Sequence, residues 1–359
     1  MLSRADAIAL CAWFRENARP LPWRRDADPY HVWLSEIMLQ QTRIEAVIPY
    51  YERFLSELPT IRDLAAVDEE RLLKLWEGLG YYSRARNLHR AAKVVCGEHG
   101  GVFPDDVAGI RALPGIGDYT AGAIASICFG RKAPAVDGNV LRVCARYAER
   151  FEPVTEPSVK RRVTEALEAV YGYRGVKPSD LTQGLMELGE VVCLPSGALR
   201  CSVCPLAGGC RAYAHGTAAD LPVRAPKKEK REVDVTVLIL RTGDGDVAIR
   251  KRPDTGLLAG LWEFPNVEQR LSQAEALAFA EGLGVKPLCA KKGLSHTHVF
   301  THIRWRMRSY VVDVEEAGGA GTTATAKQGG LRFVSPEELT ETHALPTAFR
   351  KFIDCIASV

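Results

Sequence analysis

Two carboxylates, Glu36 and Asp137, have sequence neighbours that suit a catalytic role. Glu36 lies beside the apolar face of a helical stretch that runs from Val32 to Thr42. Apolar surroundings raise the pKa of a carboxyl group, which suits a general acid, and a solvated helix glutamate is the alternative. Asp137 stands in a Val-Asp-Gly-Asn sequence, next to the flexible Gly138 and the amide-bearing Asn139. Both carboxylates are therefore candidate site residues.

A glycine-rich turn precedes Asp137 by about twenty residues. Residues 113–117 read Leu-Pro-Gly-Ile-Gly, and small side chains are frequent in the helical stretch 119–129. Gly115 and Gly117 allow positive φ and leave backbone amides uncovered ahead of a helix N-terminus, where an anion can bind. A plain helix-turn-helix corner is the competing interpretation. The turn and Asp137 together predict a unit that grips a phosphodiester and aims a carboxylate at its sugar.

Four of the ten cysteines lie close together, with the spacing C-x7-C-x2-C-x5-C. In a reducing compartment such a group indicates metal binding rather than disulfides. Four thiolates at this spacing fit either a 4Fe-4S cluster or a zinc site. The candidate ligands are Cys193, Cys201, Cys204 and Cys210.

Aromatic and cationic residues recur in two loops of the first half. Trp23 and Arg24 follow a proline, and such a pair can stack on a base and donate to its edge, although a surface loop is the commoner meaning. The run 78–86 combines glycines, tyrosines, Arg84 and Arg86, and either inserts a ring into a base stack with its arginines on phosphates or forms a plain interhelical loop. Gln183 has the amide needed to pair with an adenine edge, which means little in isolation.

The composition changes at residues 221–232, where prolines and a basic run predict an extended linker that could also lie along a DNA backbone. After it the periodicity changes from helix to strand, with a hairpin near 243–246 and a helix from about Ser272 to Gly282. This part resembles the Nudix fold as far as Trp-Glu-Phe-Pro at 262–265. The helix lacks the acidic cluster of the hydrolases, so we expect recognition rather than metal-dependent pyrophosphate hydrolysis.

Three histidines, His296, His298 and His302, stand in a strand-rich segment. They could bind a metal ion, pack structurally, or belong to a Phe-Thr-His tip at 300–302 that recognises a base. The sequence around them leaves these three alternatives open.

The length of 359 residues fits two domains, and the net charge of +3 requires any DNA-binding surface to be local. The N-terminus lacks a long apolar segment, and no run approaches the ~18 apolar residues of a membrane span. We therefore expect a cytosolic protein without a membrane partner.

The turn and the later Val-Asp resemble the helix-hairpin-helix glycosylase superfamily, and the whole set of motifs resembles its adenine DNA glycosylases of the MutY type. The resemblance implies a multidomain fold with an all-α helix-hairpin-helix glycosylase domain and an iron–sulfur loop, followed by an α+β Nudix-like domain. We predict the glycosylase domain at 1–220, with the hairpin at about 111–130 and the loop at 193–210, the linker at 221–232, and the Nudix-like domain at 233–359. The motifs that carry the resemblance are Trp23-Arg24, Ser35-Glu36 with Gln41-Thr42, the run from Gly80 to Arg86, the turn 113–117, Val136 to Asn139, the cysteine loop and the degenerate Nudix segment.

Members of this family excise adenine placed opposite 8-oxoguanine. By resemblance, Glu36 protonates the adenine and Asp137 stabilises or traps the sugar cation, as in glycosidases that use paired carboxylates. The remaining implied roles are site shaping by Tyr119 and Asn139; adenine binding by Trp23, Arg24 and Gln183; DNA or 8-oxoguanine binding by Gln41, Thr42, Leu79, Tyr81, Arg84, Arg86, Gly115, Gly117, Phe300, Thr301 and His302; and cluster binding by Cys193, Cys201, Cys204 and Cys210.

Two departures from the family pattern are visible. Seven residues rather than six separate Cys193 from Cys201, and Thr301 stands where relatives usually have serine. Endonuclease III-like enzymes, the nearest rival, carry a lysine nucleophile at the position of Tyr119, so we expect a monofunctional glycosylase. A non-enzymatic DNA-binding iron–sulfur protein is a further rival, which the presence of both carboxylates disfavours.

The expected cofactor is one 4Fe-4S cluster per chain. The expected partner is double-stranded DNA that contains adenine opposite 8-oxoguanine or G, bound by a monomer. The implied location is the bacterial cytoplasm, with nucleoid association when bound to DNA.

Overall fold

The computed structural model describes residues 1–226, 229–315 and 330–357, and the chain forms two compact units. The first unit contains residues up to Ala66 and those from Arg86 to the linker. The second contains Val67–Ala85 together with the residues after the linker. No helix among the described residues combines the length and the apolar character that a membrane span requires.

The first 220 residues are helical, and side-chain caps set several helix starts. Asp28 accepts a hydrogen bond from the Tyr30 amide at 2.8 Å and precedes a proline at the first helical position, so the helix that carries Glu36 has a fixed start. The helices are α1 (Arg4–Asn17), α2 (Pro29–Met38), α3 (Ile44–Glu57), α4 (Ile61–Ala66), α5 (Glu69–Leu75), α6 (Ser83–Glu98), α7 (Val107–Ala112), α8 (Asp118–Phe129), α9 (Gly138–Ala148), α10 (Pro157–Tyr171), α11 (Pro178–Val191) and α12 (Arg211–Ala214).

The predicted hairpin is α7, the turn 113–117 and α8. Gly115 has φ +76°, and a Cβ atom there would collide with the Asn87 side chain. Gly117 differs from the prediction of positive φ, because it is the extended N-cap of α8 with φ −99°. A Cβ on Gly122 would collide with the Pro134 carbonyl, so the small residues of α8 do permit a close backbone approach.

The core of the first unit brings α1, α9 and α11 together around buried leucines and valines. Gly184 lets α11 approach α1, since a Cβ there would lie 3.3 Å from Leu10 Cγ. Cys193, Cys204 and Cys210 pack against the same cluster. Helices α9 and α11, which carry Asn139 and Gln183, therefore share a core with the cysteine loop.

In the part of the second unit that the structure describes, the strands form a seven-stranded sheet with the order β3-β2-β1-β6-β5, in which β4 pairs with β1 and β7 with β2. β1 and β6 are parallel and the other pairs are antiparallel. The strands are β1 (Arg231–Arg241), β2 (Val247–Lys251), β3 (Trp262–Glu263), β4 (Asn266–Val267), β5 (Pro287–Val299), β6 (Ile303–Val314) and β7 (Leu331–Val334), and the helices are α13 (Gln273–Gly282), α14 (Pro336–Glu341), α15 (Thr347–Arg350) and α16 (Asp354–Ala357).

Both faces of this sheet are covered, because the central strand β1 is apolar on both sides. Val237 and Ile239 belong to a core with Phe349 and Phe352, whereas Leu238 and Leu240 belong to a core with α13. On α13 the carboxylate of Glu275 closes a capping box with Ser272. Glu275 therefore stabilises the helix start.

Residues 67–85 associate with the second unit, whereas the sequence prediction assigned them to the domain 1–220. Lys74 donates a hydrogen bond to the His343 carbonyl at 3.1 Å. Glu77 accepts one from the Leu345 amide at 2.8 Å, and the hydroxyls of Tyr81 and Thr301 are 3.1 Å apart. These contacts join residues that are more than two hundred positions apart, which sequence patterns do not reveal.

Candidate active site

A cleft of about 830 Å³ in the first unit is lined by residues from six places in the chain. Its walls are formed by the loop after α1, by helix α2 with the segment up to the start of α3, by α8, by the start of α9, by Lys160 of α10 and by one face of α11. The structure brings together nine predicted site residues here: Trp23, Arg24, Glu36, Gln41, Thr42, Tyr119, Asp137, Asn139 and Gln183.

Glu36 is buried at the cleft wall, with 7% of its surface exposed. Burial raises the pKa of its carboxyl group to about 7, while a hydrogen bond from Tyr119 opposes that rise. The Tyr119 hydroxyl donates to Glu36 Oε2 at 2.5 Å, and burial together with the nearby carboxylates raises the pKa of the phenol well above its usual range. Glu36 can therefore hold a proton near neutral pH and release it into the cleft.

Asp137 is the N-cap of α9. Its Oδ1 accepts a hydrogen bond from the Val140 amide at 2.8 Å, and its Oδ2 accepts one from Asn139 Nδ2 at 3.0 Å. Burial raises the pKa of Asp137 above its ordinary value, although these hydrogen bonds oppose the rise. The donors hold the carboxylate in one orientation toward the cleft.

The Asn139 amide has partners on both of its polar atoms. Nδ2 donates to Asp137 and also to Glu190 Oε1 at 2.8 Å, and Oδ1 accepts from Arg142 at 2.7 Å. The buried Arg142 side chain also donates to the carbonyls of Gly189 and Cys193, each at 2.8 Å. Asn139 is thus fixed between α9 and α11.

The sequence analysis did not predict a buried ion-pair group in the cleft wall, formed by Glu187 with Arg19 and Arg24. Glu187, 1% exposed, accepts hydrogen bonds from Arg19 at 2.7 and 2.9 Å and from Arg24 at 2.9 Å. Burial alone would raise the pKa of Glu187, but the bonds from the two arginines lower it to about 2. A glutamate between apolar residues of α11 was the available signal, because a buried carboxylate requires a cationic partner.

Trp23 and Arg24 therefore differ from an exposed stacking pair. Trp23 is buried, and its ring packs edge-on against Tyr51 with centroids 5.4 Å apart. Arg24 is held by Glu187 and lies over the Phe14 ring at 5.3 Å. Both residues line the cleft, and both are held in place by neighbouring side chains.

The segment 78–86 only partly matches its predicted role. Tyr81 is 47% exposed, with φ +48°, whereas Leu79 is buried. Arg84 was predicted to meet phosphates, but it is buried and donates to the carbonyls of Leu79 and Gly80 at 3.0 and 3.1 Å. Arg84 therefore shapes the loop that presents Tyr81, while Arg86 is half-buried on α6.

The tip 300–302 connects β5 to β6, and its side chains divide into two kinds. Phe300 stacks edge-on between His298 and Trp305, with centroid distances of 4.5 and 4.9 Å. Thr301 and His302 are exposed. His296 and His298 stack in the same aromatic row, which supports the packing interpretation for these two histidines.

Cys193, Cys201, Cys204 and Cys210 line one small cavity of about 30 Å³. Arg146 Nη1 donates to the Cys193 sulfur at 3.2 Å. Within the described ranges, no three histidine, cysteine or acidic side chains converge as ligands of a single metal ion. Four thiols facing one cavity are a donor set that suits either group named from the spacing, a 4Fe-4S cluster or a zinc ion.

The chain matches two protein families. Residues 34–169 match the HhH-GPD superfamily of base excision DNA repair proteins, and residues 236–355 match the NUDIX domain. Among solved structures, a thermostable thymine-DNA glycosylase is 28% identical, with a TM-score of 0.52 over 58% of this chain and 95% of that one. A trapped endonuclease III–DNA complex, 23% identical with a TM-score of 0.50 over 60% of this chain and 99% of that one, shows the same fold. The predicted fold class is confirmed.

Relatives named adenine DNA glycosylase align with most of the chain. The protein of Mus musculus is 34% identical, over 95% of this chain and 76% of its own length. The protein of Homo sapiens is 33% identical, over 96% of this chain and 72% of its own length. That of Buchnera aphidicola subsp. Schizaphis graminum is 33% identical, over 74% of this chain and 76% of its own. The predicted family is thereby confirmed: the chain belongs to the adenine DNA glycosylases.

Proposed function

We propose that this protein hydrolyses the N-glycosidic bond of adenine that is mispaired with 8-oxoguanine or G in duplex DNA. The observation that carries the proposal is the buried Glu36, whose pKa of about 7 and place in one cleft with Asp137 supply a proton donor and a carboxylate together. Membership of the adenine DNA glycosylases supports the choice of base.

The cleft has the size of a nucleotide site. Its volume of about 830 Å³ lies within the range of small-molecule pockets, roughly 300–1,000 Å³. An adenine inside a duplex is out of reach of buried side chains, so the nucleotide must rotate out of the stack. Gln183 then offers an amide to the edge of the extruded base, beside the wall made by Arg24 and Glu187.

Proton transfer from Glu36 starts the reaction. Tyr119 donates to Oε2, so Oε1 is the oxygen that carries the proton. The proton passes to the Hoogsteen edge of adenine, and the bonding electron pair of the N-glycosidic bond moves to the base, which leaves as neutral adenine. Glu36 becomes a carboxylate in this step.

Asp137 acts on the sugar that remains. Its carboxylate faces the cationic C1′ and either stabilises the oxocarbenium ion or forms a bond to C1′ that water later replaces. Water adds to C1′ and gives its proton to the Glu36 carboxylate, which restores the acid and leaves an abasic site. Because Tyr119 holds the position at which bifunctional relatives carry lysine, no Schiff base forms there, and the enzyme is monofunctional.

The second unit reads the base opposite adenine. The exposed Tyr81, bonded to Thr301, and the exposed His302 offer a ring and hydrogen-bonding groups in one unit. Their exposure supports a contact with 8-oxoguanine, while Phe300 supports the tip from the core side. The protein acts on DNA as a monomer.

Cys193, Cys201, Cys204 and Cys210 hold one 4Fe-4S cluster in this proposal. Such a cluster would supply a cross-link between α11 and the loop that follows it. Iron analysis of the purified protein tests the assignment: about four irons per chain are expected, and a colourless protein with one zinc contradicts it.

The function is tested by single-turnover excision on four duplexes that differ only in the base opposite adenine. We expect adenine release opposite 8-oxoguanine and G, and release at least about tenfold slower opposite C and T. Strand cleavage without prior alkali treatment, or equal rates on all four duplexes, contradicts the proposal.

A further inference from the structure

We propose that Glu190 is a positioning residue for Asp137, and that it acts through the side-chain amide of Asn139. The proposal deepens the function proposed above and rests on it. Glu190 follows Gly189 on α11, lines the cleft and accepts a hydrogen bond from Asn139 Nδ2 at 2.8 Å. The same nitrogen donates to Asp137 Oδ2 at 3.0 Å.

The hydrogen-bond pattern admits one orientation of the Asn139 amide. Its nitrogen carries two hydrogens, and Asp137 and Glu190 accept them. Its oxygen accepts from Arg142 at 2.7 Å. A flipped amide would place its oxygen against two carboxylates and its nitrogen against a guanidinium, which loses three hydrogen bonds at once.

Glu190 reaches this position because the preceding residue is glycine. A Cβ on Gly189 would lie 2.6 Å from Asn139 Cβ and 3.3 Å from Arg142 Nη2. The backbone of α11 therefore lies directly against the start of α9. The next side chain along the helix then falls beside the amide.

Glu190 differs from the two carboxylates that perform the chemistry. It is exposed, whereas Glu36 and Asp137 are at least partly buried, and its contact is to Asn139. The charged and titratable groups that face Asp137 are Glu36 from α2, Tyr119 from α8, and Arg142 and Cys144 from α9. Glu190 therefore controls the donor to Asp137 rather than a proton.

Two substitutions separate the hydrogen bond from the charge. In Glu190→Gln the side-chain oxygen still accepts from Asn139, and in Glu190→Ala that acceptor is lost. We expect single-turnover adenine release to slow about tenfold in Glu190→Ala and to stay within about threefold of wild type in Glu190→Gln, with duplex Kd unchanged in both. Glu168→Ala, which removes an exposed glutamate of α10, is the matched control.

A pH profile supplies a readout that a merely structural role would not move. The bond from Asn139 lowers the pKa of Asp137, so misalignment of the amide raises that pKa. The low-pH limb of the excision rate should move to higher pH in Glu190→Ala and return toward wild type in Glu190→Gln.

If the wild-type protein releases adenine and Glu190→Ala releases it at the same rate, this inference is overturned and the proposed function stays intact. So does a Glu190→Gln variant as slow as Glu190→Ala, because charge would then matter and the hydrogen bond would not. A weaker duplex Kd as the main effect assigns Glu190 to DNA binding and also overturns it. Wild-type protein that releases no adenine overturns both proposals.

Discussion

The phenol hydroxyl of Tyr119 donates a 2.5 Å hydrogen bond to the carboxylate of Glu36. This bond links α8, the helix after the glycine turn, to α2, which carries Glu36. Two effects meet in that contact. Burial raises the pKa of Glu36, and the hydrogen bond lowers it by favouring the charged form. Burial dominates, which leaves a carboxyl group that titrates near pH 7.

Tyr119→Phe should shift the pH dependence of adenine release. The rate falls as pH rises through the pKa of Glu36, about 7, because the general acid loses its proton. Removing the donor raises that pKa, so the high-pH limb should move to higher pH. Single-turnover rates across pH 5–9 measure the position of the high-pH limb. Tyr147→Phe is the control, because the Tyr147 hydroxyl donates to Asp6 and not to Glu36. A limb that stays in place or moves to lower pH would contradict this account.

Glu36→Gln should stabilise the protein at high pH. The folded-state pKa of about 7 lies above the ordinary value of 4.5, so the folded state binds more protons and wild-type stability falls as pH rises through this window. The neutral amide does not lose this stability as pH rises. The difference in the free energy of unfolding from wild type should be on the order of 3 kcal/mol at pH 8 and close to zero at pH 4. Urea unfolding at both pH values measures it, with the exposed Glu168→Gln as control. An equal effect at both pH values would show that burial does not raise the Glu36 pKa.

Gly115→Ala and Gly117→Ala should differ although they lie two positions apart. The first places a side chain at φ +76° and against Asn87, and should cost about 1–3 kcal/mol of stability. The second meets open space at an extended N-cap and should cost about 1 kcal/mol or less. Urea unfolding separates them, and duplex binding should weaken more in the first. Equal losses in both variants would mean that the turn does not depend on positive φ at Gly115.

His302→Ala and Phe300→Ala should separate lesion reading from support. His302 is exposed, so its removal should lower the preference for 8-oxoguanine over G by about 1–3 kcal/mol and leave stability unchanged. Phe300 packs between His298 and Trp305, so its removal should cost about 2–4 kcal/mol of stability. Excision on both duplexes and thermal unfolding measure the two effects. The full chain is required, because truncation at the linker would strip residues 67–85 of their partners.

Unchanged discrimination in His302→Ala would assign lesion reading to other residues. Tyr81 is the first alternative, since its hydroxyl already contacts Thr301.

The catalytic candidates could be named from the sequence because they stand in short, recognisable patterns. Glu36 lies beside an apolar helix face, Asp137 follows the glycine turn, and the structure joins both in one cleft with Tyr119 and Asn139. The Gly115 conformation was also predictable, because the turn requires a residue that accepts positive φ.

Contacts between distant residues were not predictable in the same way. The partner of Arg24 is Glu187, more than a hundred and sixty positions away, and nothing near Arg24 indicates it. Arg84 has the charge that a phosphate contact requires, yet its guanidinium is buried and donates to the nearby carbonyls of Leu79 and Gly80. The association of residues 67–85 with the second unit depends on Lys74 and Glu77, whose partners are backbone groups that carry no sequence signal.

We propose that Glu36 delivers the proton that releases adenine. Single-turnover excision from a duplex with adenine opposite 8-oxoguanine tests it most directly, with wild type and Glu36→Gln compared at pH 7 and duplex Kd measured alongside. The amide has the same shape and cannot deliver a proton, so the rate should fall by at least about a hundredfold while Kd stays within about threefold. A Glu36→Gln rate within about tenfold of wild type, at unchanged Kd, would contradict the account.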